Sequence, residues 1–198
     1  MKKAARLFAC FLLFLLFTSA LTVVFSPYGK QENFPYRSVV NSVEINAPPD
    51  TVFHYLGNSA HAHNWSVFVD HITTLNADSF PDGTPGSRRR CFRQQNENGI
   101  RWDEEVTQVE PGKKRQLTIY NMKEFPLMAD GLATEQIYEP LKNGNACRLT
   151  FTVFYLHHSP TFFETFKTYI AAYRINDIFK ANLGNIKRIV EEENGYKG

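Results

Sequence analysis

Two hydrophobic periods share this chain, and the points where one gives way to the other divide it into elements. Val39, Val43 and Ile45 fall on one face of the stretch 38–46, the two-residue alternation of a half-buried strand. Pro48-Pro49-Asp50 then starts a helix, because proline is tolerated in a first turn and an acidic side chain is favoured beside the free amides. Val52, Phe53 and Leu56 follow at helical spacing, and Gly57 ends the run. A second short helix or helical turn is expected over 60–69 around Trp65 and Phe68, followed by a strand over 71–77. Pro81-Asp82-Gly83 and Pro85-Gly86 mark a loop. Strand-like runs then cover 87–95, 100–110, 114–122, 132–141 and 146–157. Asn96-Glu97-Asn98-Gly99, Pro111-Gly112 and Lys142-Asn143-Gly144-Asn145 read as hairpin turns between them. The helical period returns near Thr161 and runs to about Glu193, with Ser159 or Thr161 as the cap and Asn194-Gly195 as the stop. This order predicts an α+β domain: seven antiparallel strands, two short helices after the first strand, and a long C-terminal helix.

The first 25 residues follow neither period. Lys2, Lys3 and Arg6 precede an uncharged stretch, Leu7 to Phe25, which as a helix reaches roughly 28 Å, about the thickness of a bilayer's hydrocarbon layer. Two readings fit. A signal peptide places Thr18 and Ala20 at the −3 and −1 positions and is cut after Ala20. A retained transmembrane anchor uses the whole run, since Leu21-Thr22-Val23-Val24-Phe25 continues it. Both leave the basic residues in the cytoplasm and the body outside it, in the periplasm if the source is Gram-negative. Cys10 lies too early in the apolar run for a lipoprotein signal. The expected organisation is 1–25 as signal or anchor, 26–37 as a tether, and 38–194 as the folded domain.

Composition narrows the class. A hydrophobic share of 43% rules out a disordered chain, and 17 phenylalanines favour an aromatic core or cavity. A net charge of +2 without a concentrated basic face gives no footing for nucleic acid. Cys91 and Cys147 each sit in an alternating run and read as small buried side chains. His61-x-His63 has the spacing of a chelate but no nearby Asp, Glu or Cys, and His54, His157 and His158 read as loop or surface residues, so no metal is expected. No phosphate-binding glycine loop or serine-nucleophile motif occurs, and no cofactor is implied.

Four motifs, in this order, resemble the START/Bet v 1-like (SRPBCC) superfamily, and within it the polyketide cyclase/dehydrase and lipid-transport group. They are Val43-x-Ile45-x-Ala47-Pro48-x-x-x-Val52-Phe53 with Trp65, Gly86-Ser87-Arg88-Arg89, Trp102-Asp103-Glu104-Glu105-Val106 with Glu110-Pro111, and Leu183-x-Asn185-Ile186-Lys187-x-x-Val190-Glu191. The resemblance implies a helix-grip fold, in which a curved sheet wraps the last helix and leaves a hydrophobic pocket between them. It does not select an activity, because carriers, sensors, co-chaperones and enzymes share that fold.

Strand phase proposes the pocket's lining. Leu149, Phe151, Val153 and Tyr155 share one face of the last strand, and Trp102, Glu104 and Val106 share one face of another. With Phe179 and Leu183 of the helix, Trp102, Glu104, Leu149, Phe151, Val153 and Tyr155 form the expected ligand-binding set. Glu104, Glu105 and Glu135 are the carboxylates available for acid–base work, and Arg88, Arg90, Arg93 or Arg101 are equally placed to hold Glu104 in an ion pair. The cluster Arg88-Arg89-Arg90…Arg93 can attract an anionic head group, although alternation spreads it over two faces. Phe125-Pro126-Leu127-Met128 is an unusually apolar loop, suited to a pocket lip or a membrane or partner contact.

The last helix carries two stripes. Phe162, Phe166, Tyr169, Ile170 and Tyr173 lie on one side, and Ile178, Phe179, Leu183, Ile186 and Val190 nearly opposite. The second half is expected against the sheet. The first half, with Phe166 and Tyr169, is expected on a second surface (the apolar loop, a partner or the bilayer), unless the helix breaks near Tyr173. The functional expectation is a membrane-tethered or exported domain that binds a hydrophobic small molecule or lipid. Its competitors are a cyclase/dehydratase-type enzyme in the same pocket and a membrane-held adaptor for a protein partner.

Overall fold

A computed structural model describes residues 2–125, 131–156, 161–193 and 195. Helix α1 (Lys2–Val24) is followed by β1 (Gly29–Lys30), β2 (Arg37–Ile45), α2 (Pro49–Gly57), a single 3₁₀ turn, α3 (Ala62–Trp65), β3 (His71–Thr74), β4 (Arg88–Phe92), β5 (Arg101–Glu110), β6 (Lys114–Lys123), β7 (Leu132–Leu141), β8 (Ala146–Tyr155) and α4 (Phe162–Glu193). The strands form one antiparallel sheet in the order β1-β2-β8-β7-β6-β5-β4-β3. Register shifts between β5 and β6, one with the extra residue on β6 between Tyr120 and Lys123 and one with it on β5 between Val106 and Gln108, sharpen twist and help the sheet curl. This is the expected α+β helix-grip architecture.

The sheet has eight strands, one more than the alternation predicts. Gly29 and Lys30 pair with Ser38 and Arg37, inside the stretch expected as a tether. A two-residue strand is too short to show a period, so sequence pattern cannot reveal it. The neighbouring residues are also engaged: Ser26 Oγ donates to the Tyr169 carbonyl at 2.8 Å, and the Tyr28 ring meets Tyr169 edge-on at 5.6 Å.

Packing differs at the two ends of the domain. At one end α2 seals the sheet, where Ile45, Val52, Leu56, Tyr138 and Leu149 pack with Leu183, Ile186 and Val190 of α4. Gly112 matters there: it turns the β5–β6 hairpin at φ +67°, and a Cβ would collide with the Asp50 carboxylate of α2. Toward the other end a second cluster gathers Val39, Trp102, Ile119, Leu132, Val153, Tyr155 and Ala172.

Helix α4 is continuous from Phe162 to Glu193, with no break at Tyr173. It starts with a capping box: Glu164 N donates to Thr161 Oγ1 at 3.4 Å, and Thr161 N donates to the Glu164 carboxylate at 2.7 Å. Ser159, the other candidate cap, lies outside the described residues. The sheet-facing stripe runs the whole length of α4 because Thr168 and Ala172 complete it in the first half. A small residue and a hydroxyl carry little hydrophobic signal, which is why the sequence suggested two opposed stripes. Tyr169 and Tyr173 pack instead on the chain's own N-terminal segment, a surface the sequence did not suggest, where Tyr173 Oη donates to the Thr22 carbonyl at 3.1 Å.

Candidate functional site

Between the sheet and α4 lies a cavity of about 640 Å³. Its floor follows strand alternation: Trp102 and Glu104 of β5, Leu117 and Ile119 of β6, Leu132 and Thr134 of β7, and Phe151 and Val153 of β8. Ala171, Ile175, Ile178 and Phe179 of α4 form the roof. The end wall is Trp65, Phe68 and Val69, and α4 holds that segment in place. Asn182 Oδ1 accepts from Val67 N at 2.8 Å, and Asn185 Nδ2 donates to the Trp65 carbonyl at 3.1 Å. Phe68 stacks on Trp102 at 5.5 Å and Phe125 closes on both rings, giving the wall an aromatic corner.

The polar groups inside are few and mostly engaged. Glu104 accepts from Trp102 Nε1 at 2.8 Å and from Arg89 Nε at 2.9 Å. Glu135 is in register with Thr152 on the opposite face of the sheet, where it pairs with Lys114 Nζ at 2.6 Å. Register explains the first pair. Arg88, Arg89 and Arg90 of β4 lie directly opposite Glu105, Glu104 and Asp103 of β5, so three ion pairs form in a row on alternating faces. Only Arg89–Glu104 belongs to the cavity. At Asp103, burial alone would raise the carboxyl, but hydrogen bonds from Arg90 and Asn121 outweigh it and hold the group below the ordinary carboxylate value. Trp65 Nε1 is a buried donor with no partner among the described residues. The mouth carries the exposed side chains that line the cavity: Arg93, Lys167, Ile170 and Arg174.

Of the residues named from strand and helix phase, Trp102, Glu104, Phe151, Val153 and Phe179 line the cavity, as does Phe125 at its lip. Leu149 and Leu183 do not; they are in the solid core, at 0% and 2% exposure. Tyr155 lies beyond the opposite end, beside Thr168 and Tyr28, and burial pushes its phenol up. Alternation assigns a face, but position along the strand decides whether helix or hollow lies above it. Phe166 is half-buried and Tyr169 packs on Tyr28, and neither lines the cavity. Leu127 and Met128 lie outside the described residues, as do His157 and His158.

Phase reasoning missed the end wall and the mouth. It also passed over Arg89 as the partner of Glu104, although Arg88-Arg89-Arg90 facing Asp103-Glu104-Glu105 across one hairpin was a readable signal. Cys91 and Cys147 are free and buried. His61 packs on the Tyr55 ring at 4.6 Å, with Nδ1 at 3.0 Å from the Tyr55 carbonyl. Among the described residues no group of three or more His, Cys, Asp or Glu side chains gathers as metal ligands would.

Protein XoxI from Bacillus cereus is 12% identical over 77% of this chain and 94% of its own, with a TM-score of 0.57. A protein from Thermobifida fusca is 15% identical over 78% of this chain and 93% of its own, at 0.58. The di-domain ARO/CYC protein BexL is 13% identical over 78% of this chain, at 0.59, and the matched part is 46% of BexL. At such identities these likenesses establish a shared fold. No curated protein matches the sequence. The family model described as polyketide cyclase / dehydrase and lipid transport matches residues 36–191, which span every strand from β2 to β8 and nearly all of α4. The chain belongs to the polyketide cyclase/dehydrase and lipid transport family.

Proposed function

We propose that the domain binds an apolar, lipid-like small molecule between its sheet and α4, on the non-cytoplasmic side of a membrane. The observation that carries this reading is the cavity of about 640 Å³ beside a buried hydrophobic core. It falls within the range of about 300–1,000 Å³ common for small-molecule pockets, and its wall is mainly aromatic and aliphatic. Burying apolar ligand surface there contributes about 25 cal/mol per Å² before ordering costs.

The apolar stretch Arg6–Val24 within α1 supports the location. Thr22, Ser26, Tyr28 and β1 all follow Ala20, so their contacts with α4 and β2 survive whether the segment is cut there or retained. Intact mass separates the two forms: a chain beginning at Leu21 is exported and released, and one beginning at Met1 is anchored.

A cyclase/dehydratase-type reaction in the same cavity is the second reading, favoured by Glu104 lying inside it. It is already matched by a cation, Arg89 at 2.9 Å, which favours binding over proton transfer. Turnover of an aromatic polyketide chain, lost in Glu104→Gln, would move the balance to the enzyme.

The chain has two tryptophans, Trp65 and Trp102, and both line the cavity, so intrinsic fluorescence reports directly on a guest. The wild-type chain should co-purify with a lipid-like species visible by native mass spectrometry, and apolar ligands should change its tryptophan emission saturably. Ala171→Phe, which projects a ring into the cavity from the roof, should abolish both signals. A wild-type chain that retains nothing and whose emission no apolar ligand alters would exclude this function.

A further inference from the structure

We infer that the bound molecule is an amphipathic anion, with its apolar body in the cavity and a negative head held at the mouth by Arg93, Lys167 and Arg174. The inference rests on the binding reading above and adds the head's charge. Four cations and one inward-facing carboxylate, Glu104, line the cavity. Glu104 is matched by Arg89. Arg93, Lys167 and Arg174 make no ion pair among the described residues, and all three are exposed.

Their placement is specific. Lys167 and Arg174 stand on one face of α4, two turns apart with Ile170 between them, so the helix presents two cations around an apolar step into the cavity. Arg93 approaches from the β4–β5 turn, where its backbone N bonds the Ile100 carbonyl at 3.1 Å. Its guanidinium lies over the Phe68 ring at 4.9 Å, and that ring belongs to the aromatic end wall. Stacking orients the planar fork at the rim without using its hydrogen-bond donors. Apolar walls below and unmatched cations above complement one molecule, a hydrophobic body ending in a carboxylate or phosphate. A neutral amphiphile of the same body would leave three cations without a counter-charge.

The test is competition between matched chains. The full chain, held in non-ionic detergent, is exposed to an equimolar mixture of oleate, oleyl phosphate and oleyl alcohol, and adducts are counted by native mass spectrometry. Three exposed ion contacts of modest strength together support a preference of about tenfold for an anion over the alcohol. The triple variant R93Q/K167Q/R174Q should retain all three ligands nearly equally while melting at the wild-type temperature. High salt should compress the wild-type preference in the same direction. The dominant acid identifies the head as carboxylate or phosphate, and dominance of either supports the inference. Equal retention of acids and alcohol by the wild type, or a preference that persists in the triple variant, overturns it and leaves the cavity-binding reading standing. Retention of none of the three overturns both.

Discussion

Arg89→Met probes the ion pair under the cavity. The change removes a guanidinium whose Nε donates to Glu104 Oε2 at 2.9 Å, and leaves Glu104 with the Trp102 Nε1 bond at 2.8 Å but without its cation. The two side chains are 11% and 12% exposed, so little water replaces the lost partner. Stripping one member from a buried pair costs about 3–5 kcal/mol, because the other charge stays desolvated and unmatched. For a chain of this size each kcal/mol lowers the melting temperature by about 2–4 °C, so a fall of about 6–20 °C is expected. Arg89→Met combined with Glu104→Leu removes both charges and leaves one indole donor without its acceptor. That double variant should be more stable than the sum of the two single losses implies, with a coupling of about 2–3 kcal/mol. The assay is thermal unfolding of the full chain by circular dichroism at pH 7, for the wild type, both single variants and the double. A single variant melting within about 3 °C of wild type, or losses that simply add, would refute the argument that this pair is buried and mutually dependent.

Asp103 has a folded value below the ordinary one, so its stabilisation is fully present above the unfolded value of about 3.9 and is lost as pH falls through the folded value. Asp103→Asn should therefore flatten the acid limb of a melting-temperature profile below about pH 4, and an unchanged limb would count against the Arg90 and Asn121 bonds as its cause. Burial pushes the Cys147 thiol up to about 12 and raises Cys91 as well, so neither should react with iodoacetamide at pH 8 until urea unfolds the chain. Labelling of either in the folded protein would contradict its burial. Gly112→Ala should cost about 1–3 kcal/mol, since it combines a positive φ with a collision against Asp50, and denaturant titration with an unshifted midpoint would show that the hairpin relaxes freely.

Much of the fold was legible in the chain because each element repeats its own signal. Strands such as β7 show alternation over ten residues between marked turns, and the expected and observed spans of β7 coincide. Helix α4 ran from the expected cap to within a residue or so of its expected end. The two-residue β1 had no room for a period, and the sheet-facing stripe in the first half of α4 was hidden because Thr168 and Ala172 are not strongly hydrophobic. Cross-strand register turned a line of arginines into three defined ion pairs and chose Arg89 for Glu104.

By itself, then, the sequence determined which residues point to the inner face of the sheet and which helix lies across it, because periodicity is a local property of backbone geometry. Tertiary structure alone decided which inner-face residues are core and which are cavity wall. Leu149 and Phe151 share a strand and a face, yet one lies in the solid core and the other opens onto a hollow. That distinction depends on how far α4 stands from a curled sheet at each point along the strand. The gap is set by side chains distant in sequence, packed together at one end and apart at the other, and no local pattern records it.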